Sequence, residues 1–108
     1  MEILEVIMNV LPNRSAYEKT LYLLKNYRDM KNGAQISNVP RCMLDLMERA
    51  LNMIKDDEYI GIIQALYIEG KSAEETETLL KIDRRTMYRQ RRRLIKRLAV
   101  IIYGDEAL

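Results

Sequence analysis

An all-α fold follows from three observations. Gly and Pro are scarce, four and two in 108 residues, while Leu, Ile, Val and Met are plentiful. Apolar residues recur at helical spacing in successive segments. Those segments are separated by helix punctuation, with Ser, Asp or Pro at the start and Gly or Pro at the end. The length suits one domain with room for a small subdomain, and it is enough for a real core. With neither Trp nor Phe in the chain, Tyr, Met and aliphatic side chains must fill that core.

Each element can be justified in turn. Ile3, Leu4, Val6, Ile7, Val10 and Leu11 predict a short amphipathic helix over 2–11, ended by Pro12 and Asn13. Ser15-Ala16-Tyr17-Glu18 is a capping box, and a helix over 16–32 follows, stopped by Gly33. Tyr17, Tyr22 and Tyr27 on it read as core and rim rather than as a ligand site. Residues 33–39 form a polar connector and the expected hinge. Pro40 suits the first turn of the next helix, which Met43, Leu44, Met47, Ala50, Leu51 and Ile54 carry to about Lys55. Asp56 and Asp57 cap a helix over 58–69 whose apolar positions are Ile60, Ile63, Ala65, Leu66, Tyr67 and Ile68; Gly70 ends it. Ser72-Ala73-Glu74-Glu75 is a second capping box and opens a short helix, 73–80. After the turn Lys81-Ile82, Asp83 caps a helix that runs unbroken to Tyr103, where Gly104 stops it. At about 1.5 Å per residue this last helix is a rod of about 30 Å.

The first half of that rod holds the chain's unusual charge. Of the fourteen residues from Arg84 to Arg97, eight are Lys or Arg and none is acidic. The whole chain carries 18 basic and 16 acidic residues, so the remainder holds ten basic against sixteen acidic, a net of −6. A run of cations can be no more than a solvated helix face. Gathered into one short helix of a near-neutral protein, it makes a field that attracts a polyanion, nucleic acid being the usual one.

Context decides between these. Segment 58–97 reads as helix, Gly-Lys, capped short helix, three-residue turn, capped basic helix. That is the layout of a helix-turn-helix, whose second helix enters the major groove. Leu79, Leu80, Ile82, Met87 and Leu94 supply its expected core. With Met87, Leu94 and Leu98 as the buried stripe, Arg85, Arg89, Arg92, Arg93 and Lys96 point away from it. Arg84, Arg85 and Thr86 occupy the first turn, which meets base edges in such motifs. Arg suits guanine bidentately, and Gln90 could do the same for adenine. The candidate DNA-binding set is therefore Arg84, Arg85, Thr86, Tyr88, Arg89, Gln90, Arg92, Arg93 and Lys96. Arg91 falls nearer the buried side, where Glu74 or Glu75 is its expected partner.

Tyr67-Ile68-Glu69-Gly70-Lys71-Ser72-Ala73-Glu74-Glu75 followed by Leu80-Lys81-Ile82-Asp83-Arg84-Arg85-Thr86-Met87-Tyr88-Arg89 resembles region four of bacterial sigma factors. The likeness covers about 56–103. Arg97 to Gly104, with Leu23 to Lys31 upstream, is similar to phage and prophage transcriptional activators of the RinA/ArpU type. The resemblance implies a helical N-terminal region over 1–55, which covers the core or makes contacts, and a helix-turn-helix domain over 56–108. It further implies a regulator of late phage genes, with double-stranded DNA and RNA polymerase as partners. Two departures stand out: Glu77 where the family has a small residue, and Lys81 where it often has Gly. A carboxylate at the helix contact is costly unless paired. Thr76, in place of an aliphatic residue, is a milder change.

The rest of the rod, Leu94 to Tyr103, is apolar on more than one face. Either the N-terminal helices cover it or it forms a homodimer contact that sets two reading heads on a two-fold site. Other functions are a DNA-packaging accessory protein resembling a terminase small subunit, and a module that binds RNA polymerase and touches little DNA. An enzyme is not expected. The chain has no His, which excludes Ser-His-Asp and Cys-His catalysis, and no Gly-rich phosphate loop. A single Cys, Cys42, with no His leaves no zinc set. No cofactor is expected, and Cys42 reads as a small core thiol. Without a basic leader or an apolar run of about 18 residues, the expectation is a cytoplasmic protein with no membrane span.

Overall fold

A computed structural model describes residues 13–37 and 39–104. The expected helix over 2–11, with Pro12, lies outside the described residues. The others are all helical elements: α1 (Ala16–Lys31), α2 (Cys42–Met53), α3 (Ile60–Ile63) running directly into a π-helical turn (Gln64–Ile68), α4 (Ala73–Leu80) and α5 (Arg84–Tyr103). There is no strand among the described residues, only an isolated bridge between Ile36 and Val39.

The caps form largely as the sequence demands. Ser15 Oγ accepts from the Glu18 N–H at 3.1 Å, but Glu18 reaches back to the Ser15 hydroxyl, not to its backbone. At α4 the box is complete: Ser72 Oγ accepts from Glu75 N–H at 3.0 Å and Glu75 Oε1 from Ser72 N–H at 3.1 Å. That second bond holds the Glu75 carboxyl below its usual range, because the backbone N–H favours the ionised form. Asp83 accepts from Thr86 N–H at 2.6 Å and opens α5.

Two boundaries differ from expectation. Helix α2 starts at Cys42, two residues after Pro40, and it closes at Met53 rather than Lys55. It has no side-chain cap, since Arg41 at the cap position carries only donors; its guanidinium instead donates to Met30 O (2.9 Å), in the last turn of α1, and to Ala34 O (3.2 Å), in the connector. That fastening, with Val39 buried, ties down the connector read as a hinge. The helix expected over 58–69 begins at Ile60, since Asp57 caps the Tyr59 N–H at 2.9 Å. It ends in a wider turn in which Glu69 N–H donates to Gln64 O, five residues back.

The main buried cluster joins α1, α2, α3 and the second half of α5, while Ile62, Ala65 and Met87 are buried outside it. Leu23, Leu24, Tyr27 and Met30 of α1 and Met43, Met47 and Ala50 of α2 meet Ile63 of α3 and Leu94, Ile95, Leu98, Ala99, Ile102 and Tyr103 of α5. This cluster takes residues from both sides of residue 55. Leu94, Ile95, Leu98, Ala99 and Ile102 in the apolar second half of α5 are buried in a cluster with α1 and α2, as the first of the two readings expects, whereas Val100 is 43% exposed. Two side chains depart from expectation. Cys42 is exposed, because the helix start puts it on the solvent side. Leu79 is 56% exposed, and it is Leu80 that packs on α3, at Gly61. A Cβ on Gly61 would stand 3.1 Å from Leu80 Cδ2, so the small residue sets the close approach of the two helices. Thr76 is fully buried and satisfied, its hydroxyl donating to Ser72 O at 2.8 Å.

Candidate nucleic-acid interface

The geometry of α5 starts from what holds it. Its buried residues are Met87, Leu94, Ile95, Leu98, Ala99, Ile102 and Tyr103. Burial of each large one contributes about 1.5–3 kcal/mol, so the rod is fixed along its greater part. Beneath its end, the Lys19 ammonium lies 5.4 Å from the Tyr103 ring centroid. Burial pushes the Tyr103 hydroxyl up to about 12.

The cations then sort into two classes by what they touch. Arg84 is paired with Glu77 of α4, and that carboxylate raises the guanidinium's affinity for its proton. The pair answers the concern that Glu77 would sit unpaired at the helix contact. Arg91 does not meet Glu74 or Glu75. Its Nη1 donates to the Tyr67 hydroxyl at 3.3 Å, and its guanidinium lies over the Tyr88 ring at 5.2 Å. The π-helical turn carries Tyr67, and burial raises that hydroxyl's pKa against the nearby Arg91 charge. Arg93 is bound bidentately by Asp57 at 2.8 and 2.9 Å, and its Nε donates to Gln90 Oε1 at 2.7 Å. Arg97 donates to the same Asp57 at 2.9 Å. The Arg93 hydrogen bonds, and then the Tyr59 N–H, hold the Asp57 carboxyl well below the usual carboxylate range.

Of the expected DNA-binding residues, then, Arg84, Gln90 and Arg93 are engaged within the protein. The Thr86 N–H is used in the Asp83 cap. Tyr88 is 43% exposed beside Arg91. Arg85, Arg89, Arg92 and Lys96 are exposed, and among the described residues they make no hydrogen bond or ion pair. Their spacing of four, three and four residues puts them on a single stripe of the rod, about 16 Å long. That stripe is a row of exposed charge, with the Asp83 carboxylate at the helix start acting electrostatically on Arg85 and Arg89, and such a row suits the phosphates and base edges of a duplex.

Asp57 and Tyr67 were missed as partners of the basic helix. Asp57 reads locally as a cap, and nothing in its sequence neighbourhood points to residues 36 and 40 positions away. Among the described residues no three His, Cys, Asp or Glu side chains converge as metal ligands, and no helix is long and apolar enough to cross a membrane. Comparison with protein-family models, with curated proteins and with solved structures found no match.

Proposed function

We propose that this chain is a sequence-specific double-stranded-DNA-binding transcriptional regulator of phage or prophage genes, acting in the cytoplasm without a cofactor and without enzymatic activity. The observation that carries the reading is the stripe Arg85, Arg89, Arg92 and Lys96, exposed and unpaired on a capped, core-anchored helix. A helix preceded by a short capped helix and a tight turn is the arrangement that presents its first turns to the major groove. Arg85 and Arg89, nearest that start, are assigned to base edges. Arg92 and Lys96, farther along, are assigned to phosphates. The phage and prophage assignment rests on the sequence resemblance alone.

Selection of bound sites from random duplex DNA at a stated salt concentration tests the proposal. Enrichment of a defined motif is expected. Binding without enrichment would remove the sequence-specific part, and a failure to bind any duplex would remove the whole.

A further inference from the structure

Asp57 stands in the loop between α2 and α3, its side chain 8% exposed. Every one of its contacts is a donor: Arg93 Nη1 at 2.9 Å and Nη2 at 2.8 Å, Arg97 Nη1 at 2.9 Å, and the Tyr59 N–H at 2.9 Å. Cap and clamp are made by one carboxylate. Both guanidiniums flank the free stripe, Arg93 beside Arg92 and Arg97 beside Lys96, and their side chains are 43% and 46% exposed. A phosphate drawn to the stripe would come within reach of them. It would meet a carboxylate already seated on the donors it needs.

We infer that Asp57 is a specificity-determining residue: an internal competitor for phosphate that withholds Arg93 and Arg97 from sequence-independent binding. The inference rests on the DNA-binding reading above. The physical reason is counterion release. Each phosphate neutralised adds about 0.9 to the salt slope and to binding that ignores sequence. Two more free cations on a helix that already presents four would raise affinity for every duplex alike. Base-edge contacts, which distinguish sequences, would gain nothing. A carboxylate is suited to the task because its bidentate pairing with Arg matches the geometry that a phosphate would use.

The test is the salt dependence of binding to a random-sequence duplex by the full chain. Asp57→Asn keeps an oxygen for the Tyr59 N–H and removes the charge. The slope of log K against log salt is expected to steepen by about 0.9 if one guanidinium reaches a phosphate and about 1.8 if both do. The variant's gain over wild type should then shrink about three- to twelve-fold between 50 and 200 mM salt. Arg97→Gln, at a half-exposed position, is expected to leave the wild-type slope unchanged, since that cation is withheld. A folded Asp57→Asn variant with the wild-type slope would overturn the inference. So would an Arg97→Gln slope flatter by about 0.9, which decides the matter even if Asp57→Asn does not fold. A change confined to thermal stability would mark the clamp as structural and equally overturn it. If wild type binds no duplex at any salt, the DNA-binding reading falls first, a result distinct from all of these.

Discussion

Lys81 has φ 55° and ψ 45°, the left-handed conformation, in the turn between α4 and α5. A side chain with a Cβ adopts it against steric resistance, and this is where the resembling family often has Gly. Lys81→Gly should therefore raise stability by about 1 kcal/mol in denaturant unfolding; a decrease would mean that the Lys side chain contributes more than the backbone resists. Asp57 gives a pH prediction. Its carboxyl is held below the ordinary range in the folded state, so the clamp stabilises fully above the unfolded-state pKa of about 4 and is lost as pH falls through the lowered folded value. The stability gap between wild type and Asp57→Asn should be constant from about pH 5 to 7 and narrow progressively below about pH 4. A gap that changed only above pH 5 would contradict the assignment to Asp57. Caps such as Ser72 and Asp83 were legible in sequence because donor and acceptor lie three residues apart. The partners of Arg84, Arg91 and Arg93 were not, since tertiary approach alone decides which side chain arrives.

Helix α5 carries the functional claim, and its ends were readable to the residue, with Asp83 at one end and Gly104 at the other. Helix α3 was less so. The expected start at Glu58 and Tyr59 is given over to the Asp57 cap, and the apolar pattern over 60–68 cannot distinguish an α turn from the wider π turn that positions Tyr67. In α4 the sequence pattern puts both Leu79 and Leu80 in the core, but only Leu80 packs inward, half-buried against Gly61, and Leu79 is exposed. Along α5 the register of the stripe makes a prediction of its own. Arg85→Ala or Arg89→Ala should relax sequence preference, by about 1–3 kcal/mol of discrimination for each guanine no longer gripped. Arg92→Ala or Lys96→Ala should weaken binding to all duplexes alike and flatten the salt slope by about 0.9 each. Binding to selected and scrambled duplexes separates the two effects; an equal drop in preference for both pairs would mean that the groove face is misplaced.

At the scale of the whole molecule, one buried cluster joins α1, α2, α3 and α5 among the described residues. Leu94, Leu98 and Ile102 of α5 are buried in one cluster with Leu23, Leu24 and Met47 of the first two helices. The helix-turn-helix was legible as a layout, but its dependence on α1 and α2 was not, since periodicity shows an apolar face without showing what covers it. A fragment of residues 56–108 should therefore lack a cooperative thermal transition, its rod left without cover; a sharp melt near that of the full chain would show an independent domain. On α5 the buried Met87, Leu94 and Leu98 lie on the side opposite the cationic stripe.

The most direct measurement is duplex binding, across a range of salt, by the chain in which Arg85, Arg89, Arg92 and Lys96 are all changed to Ala. Exposed and unpaired, these side chains can be removed without touching the core, so the circular dichroism melt should persist while binding disappears. A folded quadruple variant that kept wild-type affinity and salt slope would contradict the account.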